Sequence, residues 1–375
     1  MRIVYPLLWS RLDRKACREQ SVNTAAALGR AGHEVTLLMP RRAGDPALDV
    51  GEVRAWFGVE GPLRLVQRET RWVGEGAVTS AMWLLQAFKD PEVRGADLLY
   101  SRIPMMIWAG WRSPVPFVTD HYRRWPDDWP ILRRPIRKTA RAEHSRGLIL
   151  HSDYAAGSYR RAGVPAEKLL TAHNGANPAQ MLPRLEAGEA RDRLGLPRER
   201  RIAVYAGRVN QEKGLDQVLA LAALRPEVLF LLVGSEGQGP IERAAVALDN
   251  VGVVPWQRPE ALPSFLYAAD VLLIPASSAP LERFGTCVLP MKTFAYLAAG
   301  RPILAPEAPD TAELLRDGDN ALLVPPGRPA AAAAVLDRLL GDLGLARRLS
   351  EGALRTASEL SWDHRATRIS AFLQR

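Results

Sequence analysis

At 375 residues the chain is longer than one hydrophobic core usually serves, so two domains are expected. A composition of 47% hydrophobic and 24% charged residues excludes the disordered and fibrous classes and provides for a core in each half. The net charge of +9 is unevenly placed: 27 of the 50 basic and 18 of the 41 acidic residues fall within positions 1–180, so the first half holds the whole excess.

The opening MRIVYPLL is an apolar run too short for a signal h-region and has no small-residue cleavage site, so it reads as a buried strand at 3–8. A helix is predicted over 18–31, stopped at Gly32. Further strands are predicted at 35–39, 98–101, 117–119, 148–151 and 169–172. The longest apolar stretch, 76–88, falls short of the roughly 20 residues that span a bilayer. Between 123 and 146 the chain is densely basic, and that segment reads either as a solvated helix face or as a contact for anionic lipid or an anionic substrate. Eight of the ten tryptophans lie in the same half, with Trp125 and Trp129 in the Pro-rich loop best placed for contact with an acceptor or a lipid headgroup layer and the rest expected in the core. Prolines 178, 183 and 197 punctuate a charged stretch that reads as the domain junction. Beyond it, strands at 202–205, 228–233, 252–254, 271–274, 302–305 and 322–324 each precede a helical segment. The fold class is therefore α/β, two Rossmann-like doubly wound domains spanning 1–177 and 178–360, with a terminal helix at 361–375 that packs back onto the first. Cys17 and Cys287 lie far apart and outside any Cys/His cluster, which fits a reducing, cytoplasmic setting and no zinc site.

The most informative stretch runs from Val204 to Asp216. A strand ends in Gly207-Arg208 and a helix begins near Gly214, which places Arg208 and Lys213 at the carboxyl edge of a parallel sheet, where open α/β sheets bind ligands. A guanidinium fork and an ammonium beside a helix N-terminus suit a diphosphate. Asp127-Asp128 falls in a Pro/Trp-rich loop and not at a strand end, and a hard divalent cation wants clustered carboxylates, so metal-independent chemistry is expected.

This stretch resembles the signature of the GT-B glycosyltransferases of family 4, in which a strand leads into Gly-Arg, a short loop and Lys-Gly. Asn174-Gly175, Leu232-Val-Gly234, Glu282-Arg-Phe-Gly285, Ala299-Gly-Arg-Pro302 and the segment from Glu313 to Asn320 are similar to the same family in the same order. The resemblance implies two domains facing across a cleft, the C-terminal one gripping a nucleoside diphosphate sugar of UDP or GDP type as co-substrate. It implies that Gly207, Arg208, Lys213, Gly285, Thr286 and Asn174 surround the donor and that Glu282 contacts the transferred sugar. A histidine after the strand at 117–119, His121, stands where related enzymes keep one near the reacting sugar.

Two departures mark this chain. The second glutamate of the family's motif is missing: counting eight residues from Glu282 reaches Pro290, and counting back five from Gly300 reaches Ala295, neither able to bind a ribose. The Gly-Gly loop that the family often has after its first strand is replaced by the stretch from Trp9 to Cys17. The resemblance implies a retaining hexosyltransferase with a glycan, lipid-linked or small-molecule acceptor, on the inner face of the plasma membrane if the basic half meets lipid. The alternatives are a silent GT-B-like binding protein, an inverting transferase or a sugar-nucleotide epimerase. No nucleic-acid module is recognisable despite the basic charge.

Overall fold

The computed structural model describes residues 1–13, 15–277 and 289–375, and the chain divides into two compact units, Met1–Gly175 with Trp362–Arg375, and Ala176–Ser361. The first unit is built on a seven-stranded sheet of β1 (Arg2–Pro6), β2 (Glu34–Arg41), β3 (Arg64–Glu69), β4 (Leu98–Ser101), β5 (Phe117–His121), β6 (Ser145–Leu150) and β7 (Leu169–Thr171). Its order is β3-β2-β1-β4-β5-β6-β7, with every neighbouring pair parallel. The central strands β1 and β4 are mostly apolar and buried almost throughout, as strands covered on both faces tend to be.

Strand β3 is the element that apolar patterning does not reveal. Its sequence, RLVQRE, is half-buried at the sheet edge, and its charges are taken up sideways. Arg64 makes a two-pronged pair with Glu92 at 2.7 Å, and Arg68 Nε reaches Asp90 at 2.7 Å. Charged edge strands discourage pairing with another chain, which is why an edge reads as polar sequence.

The helix Ala16–Arg30 covers one face of this sheet through Val22, Ala25, Ala26 and Leu28, and the chain reverses at Gly32 into β2. The terminal helix Trp362–Leu373 packs against it. Asp363 accepts from Arg30 Nε at 2.8 Å, and Ser370 meets His33 at 2.8 Å. Its Ile369, fully buried, seals the layer.

The second unit holds β8 (Ile202–Ala206), β9 (Leu229–Ser235), β10 (Val251–Pro255), β11 (Val271–Leu273), β12 (Ile303–Pro306) and β13 (Leu322–Val324) in the order β10-β9-β8-β11-β12-β13, again all parallel. Alternate residues of one strand serve opposite cores, as the two-residue period of a strand requires. Ile202 and Val204 face a core shared with Leu272, Tyr296 and Leu297. Ala203 and Tyr205 face the other, with Leu215, Leu232 and Leu336. In each sheet the strand order reverses beside the first strand, between β1 and β4 and between β8 and β11. Those two reversal points are where a doubly wound sheet opens a crevice at its carboxyl edge.

Candidate functional site

At the reversal point of the second sheet one side chain bridges the two parting strands. Tyr296, on the helix Lys292–Ala299, accepts a hydrogen bond from the Ala206 N–H at 2.7 Å and donates to the Leu273 carbonyl at 3.3 Å. One buried hydroxyl thus satisfies the last backbone groups of β8 and β11 where the strands part, a requirement for any buried polar end. Beyond that point Gly207 adopts a φ of 143°, and its N–H bonds the Val233 carbonyl at 2.9 Å. A Cβ on Gly234 would lie 2.3 Å from the Gly207 carbonyl oxygen, so two glycines permit the strand ends to cross at this distance.

Arg208 follows, its carbonyl accepting from the Tyr205 hydroxyl at 2.8 Å, which fixes the turn while leaving the guanidinium outside. Its Nε lies 3.9 Å from Glu236, and both side chains are more than 40% exposed, a loose pair of little energetic weight. Lys213 ends the 3-10 turn Gln211–Lys213, and Gly214, at φ 69°, starts the helix Leu215–Leu224. The turn packs tightly, since a Cβ on Gly214 would lie 2.2 Å from Ser277 Cβ just beyond β11. Burial lowers the Lys213 pKa, with Arg208 adding repulsion and Glu212 opposing both. Arg208 and Lys213 therefore share one electrostatic neighbourhood at the carboxyl edge of the sheet.

A third cation, not singled out by sequence pattern, joins them. Lys292 is the first residue of its helix, with Nζ 3.5 Å from the centroid of the Tyr205 ring and 3.2 Å from the position a Cβ on Gly207 would take. Burial first, then the charge of Lys213, pushes its pKa well below the usual value. It was legible only as a lysine in the segment where a glutamate is missing. Of that missing group's two alignment positions, Pro290 precedes the helix and Ala295 packs against the core of the sheet. Glu282, Gly285 and Thr286 lie outside the described residues.

In the first unit, His121 closes β5 at 2% exposure, stacked on Tyr159 with ring centroids 6.1 Å apart and 10° between planes. Burial lowers its pKa to about 4, with Asp120 opposing and Arg102 assisting, so the imidazole is neutral near pH 7. Its Nε2 finds no hydrogen-bond partner among the described residues. Asn174 is buried beyond β7 at 4% exposure. Both belong to the first unit, and Gly207, Arg208 and Lys213 to the second.

At the carboxyl edge of β1 the replaced loop frames a cavity of about 530 Å³. Its walls carry paired charges: Arg11 with Asp45 at 3.1 Å, Lys15 with Glu75 at 3.0 Å and Arg18 with Asp13 at 2.8 Å, Arg18 also lying over the Trp9 ring. Such a lining offers planar donors and acceptors side by side, the pattern that hydroxyl-rich molecules require.

The tryptophans divide differently from the expectation. Trp125, at the start of the short helix Trp125–Asp128, is half-buried and packs against the core of Ile136, Leu148 and Tyr159. The exposed indoles are Trp108, Trp111 and Trp129. Lys138 lies over the Trp111 ring at 4.2 Å and Arg112 at 4.6 Å. The helix Arg133–Ala140 buries Ile136, Thr139 and Ala140 and turns Arg133, Arg134, Arg137 and Lys138 outward.

Two family models match successive parts of the chain: residues 20–180 match Glycosyltransferase Family 4, and residues 186–356 match Glycosyl transferases group 1. The D-inositol 3-phosphate glycosyltransferase of Streptomyces bingchenggensis is 31% identical over 224 residues, which is 55% of this chain and 48% of that protein. The chain thus spans about half the length of that relative. The protein of the same description from Jonesia denitrificans is 28% identical over 312 residues, 74% of this chain and 72% of the relative. Among solved structures, Anabaena HepE in complex with UDP superposes with a TM-score of 0.74 at 17% identity over the whole of both chains. The sucrose-phosphate synthase of Thermosynechococcus elongatus gives 0.74 at 18% identity over 100% of this chain and 98% of that one. At such identities the likeness concerns the fold.

Proposed function

We propose that this chain, whose two halves each match a glycosyltransferase family model, transfers a hexose from a nucleoside diphosphate sugar to a hydroxyl-bearing acceptor. The observation that carries this reading is the grouping of Arg208 and Lys213 at the reversal point of the second sheet, beside the two-glycine crossing. These cations stabilise charge that develops on the departing diphosphate, where fixed donors are worth most, and supply what a divalent metal supplies in other transferases. Crystals of Anabaena HepE with UDP and UDP-glucose make uridine donors the first to test.

The transfer breaks the bond from the anomeric carbon to the diphosphate oxygen and forms one to the acceptor oxygen. The acceptor proton passes to the departing phosphate, with retention of configuration as the resemblance implies. His121, a neutral imidazole, serves as a hydrogen-bonding partner of a sugar and not as a charged acid. The acceptor takes the polar cavity beside β1. Release of UDP from UDP-glucose, with the anomer of the product read by NMR, tests the reading. Absence of turnover with UDP, GDP and ADP sugars together would favour a silent binding protein, a reading that the loss of the ribose glutamate at Pro290 and Ala295 supports.

The exposed Trp108, Trp111 and Trp129 beside the cationic face of Arg133–Ala140 support peripheral docking on an anionic membrane, the setting of a lipid-linked acceptor on a cytoplasmic face. Indoles seat at the headgroup level while the arginines and lysine meet lipid phosphates. Among the described residues no helix is long and apolar enough to cross a membrane. Co-sedimentation with phosphatidylglycerol vesicles that is lost in Trp111→Ala/Trp129→Ala, against none with phosphatidylcholine, checks it.

A further inference from the structure

A lysine at the first position of a helix stands at the wrong end of the peptide dipoles, where the partial charge is positive and a carboxylate or phosphate is favoured. Lys292 holds that position, and its Nζ also rests 3.5 Å from the Tyr205 ring centroid and close beneath Gly207. The same Tyr205 ring sends its hydroxyl to the Arg208 carbonyl, so one aromatic group touches both the amine and the turn that presents the guanidinium. Three basic residues, from the end of β8, the turn Gln211–Lys213 and the start of Lys292–Ala299, thus belong to the elements that meet at the reversal point, and the charge of Lys213 reaches Lys292. An amine in such company keeps its proton only where an anion enters.

We propose that Lys292 is a third ligand of the donor diphosphate, an assignment that rests on the donor-site reading above. Among the described residues the groups facing it are Lys213, on which Arg208 acts in turn, and the Tyr205 ring, while Tyr296 on its own helix has its hydroxyl committed to Ala206 and Leu273. Glu212 and Glu236 are the acids beside Lys213 and Arg208. Burial and Lys213 both favour the neutral amine in the empty site. A polyanion in contact with Nζ reverses that preference, so binding draws a proton from solution onto Lys292. The helix that in the family's pattern supplies a ribose-binding carboxylate here supplies a phosphate-binding ammonium, which offsets the lost ribose contact.

Isothermal titration calorimetry with UDP and GDP, repeated in buffers of different ionisation enthalpy between about pH 7 and about pH 10, reads both affinity and proton uptake. Wild type is expected to take up protons on binding. Lys292→Met is expected to bind roughly tenfold or more weakly with reduced uptake, the scale of one charged contact. Lys292→Arg, always charged, is expected to keep most of the affinity while losing the uptake. Lys292→Met with the affinity and proton count of wild type overturns the assignment while leaving Arg208 and Lys213 as the donor site. A wild-type chain that binds neither nucleotide, folded by circular dichroism, overturns the donor-site reading itself.

Discussion

The guanidinium of Arg365 and the carboxylate of Asp120, 245 positions apart in the chain, meet at 2.7 Å with both side chains 1% exposed. Asp120 also accepts from the Tyr100 hydroxyl at 2.7 Å and from Gln20 Nε2 at 3.0 Å, while Arg365 donates to the Ala172 and His173 carbonyls. The pair joins the terminal helix to β5 one residue before His121. Removing one partner strands a buried charge, a cost of about 3 to 5 kcal/mol. Arg365→Ala and Asp120→Ala are each expected to lose stability on that scale in urea denaturation, and the double variant less than the sum.

The same cluster predicts an acid-labile fold. His121 and His151 are held by burial at about 4 and about 3, below the roughly 6.5 of an unfolded histidine. Unfolding therefore takes up protons, and the stability due to neutral imidazoles is present above about pH 6.5 and lost as pH falls toward about 4. Burial alone would raise the Asp120 carboxyl, yet Arg365 and Arg102 hold it down at about 2, so its share is lost between about pH 4 and about pH 2. Thermal unfolding as a function of pH checks both windows, and His151→Gln should flatten the first.

Lys213→Ala and Arg208→Ala are each expected to lower donor turnover by on the order of tenfold to a thousandfold, the scale of a lost transition-state contact. Circular dichroism should be unchanged for Arg208→Ala, whose side chain is 45% exposed. Wild-type turnover in both variants would remove the cationic site from the mechanism.

Gly234→Ala puts a Cβ 2.3 Å from the Gly207 carbonyl, at a φ of 119° that other residues rarely adopt. Backbone cannot yield there as a flexible side chain can. A destabilisation of about 1 to 3 kcal/mol is expected, together with weaker nucleotide binding, because the strand end that presents Arg208 must shift. Thermal melts with and without UDP separate the two effects.

Much of this protein could be read locally. Among the described residues apolar runs located twelve of the thirteen strands, since the strands of parallel sheets are largely apolar, and β3 escaped because this edge carries charge. The Gly207-Arg208 and Lys213-Gly214 spacing disclosed a cationic turn at a strand end because turn geometry and cation placement are short-range properties. What only the tertiary structure decided are the partnerships formed across long sequence separations. Lys292 comes to lie by Tyr205, Tyr296 bridges β8 and β11, Trp125 enters a core while Trp108 and Trp111 stay outside, and Arg365 finds Asp120. Charge, burial and hydrogen bonding act through space, so a lone lysine or arginine acquires its meaning only when the sheet order has brought its neighbours to it.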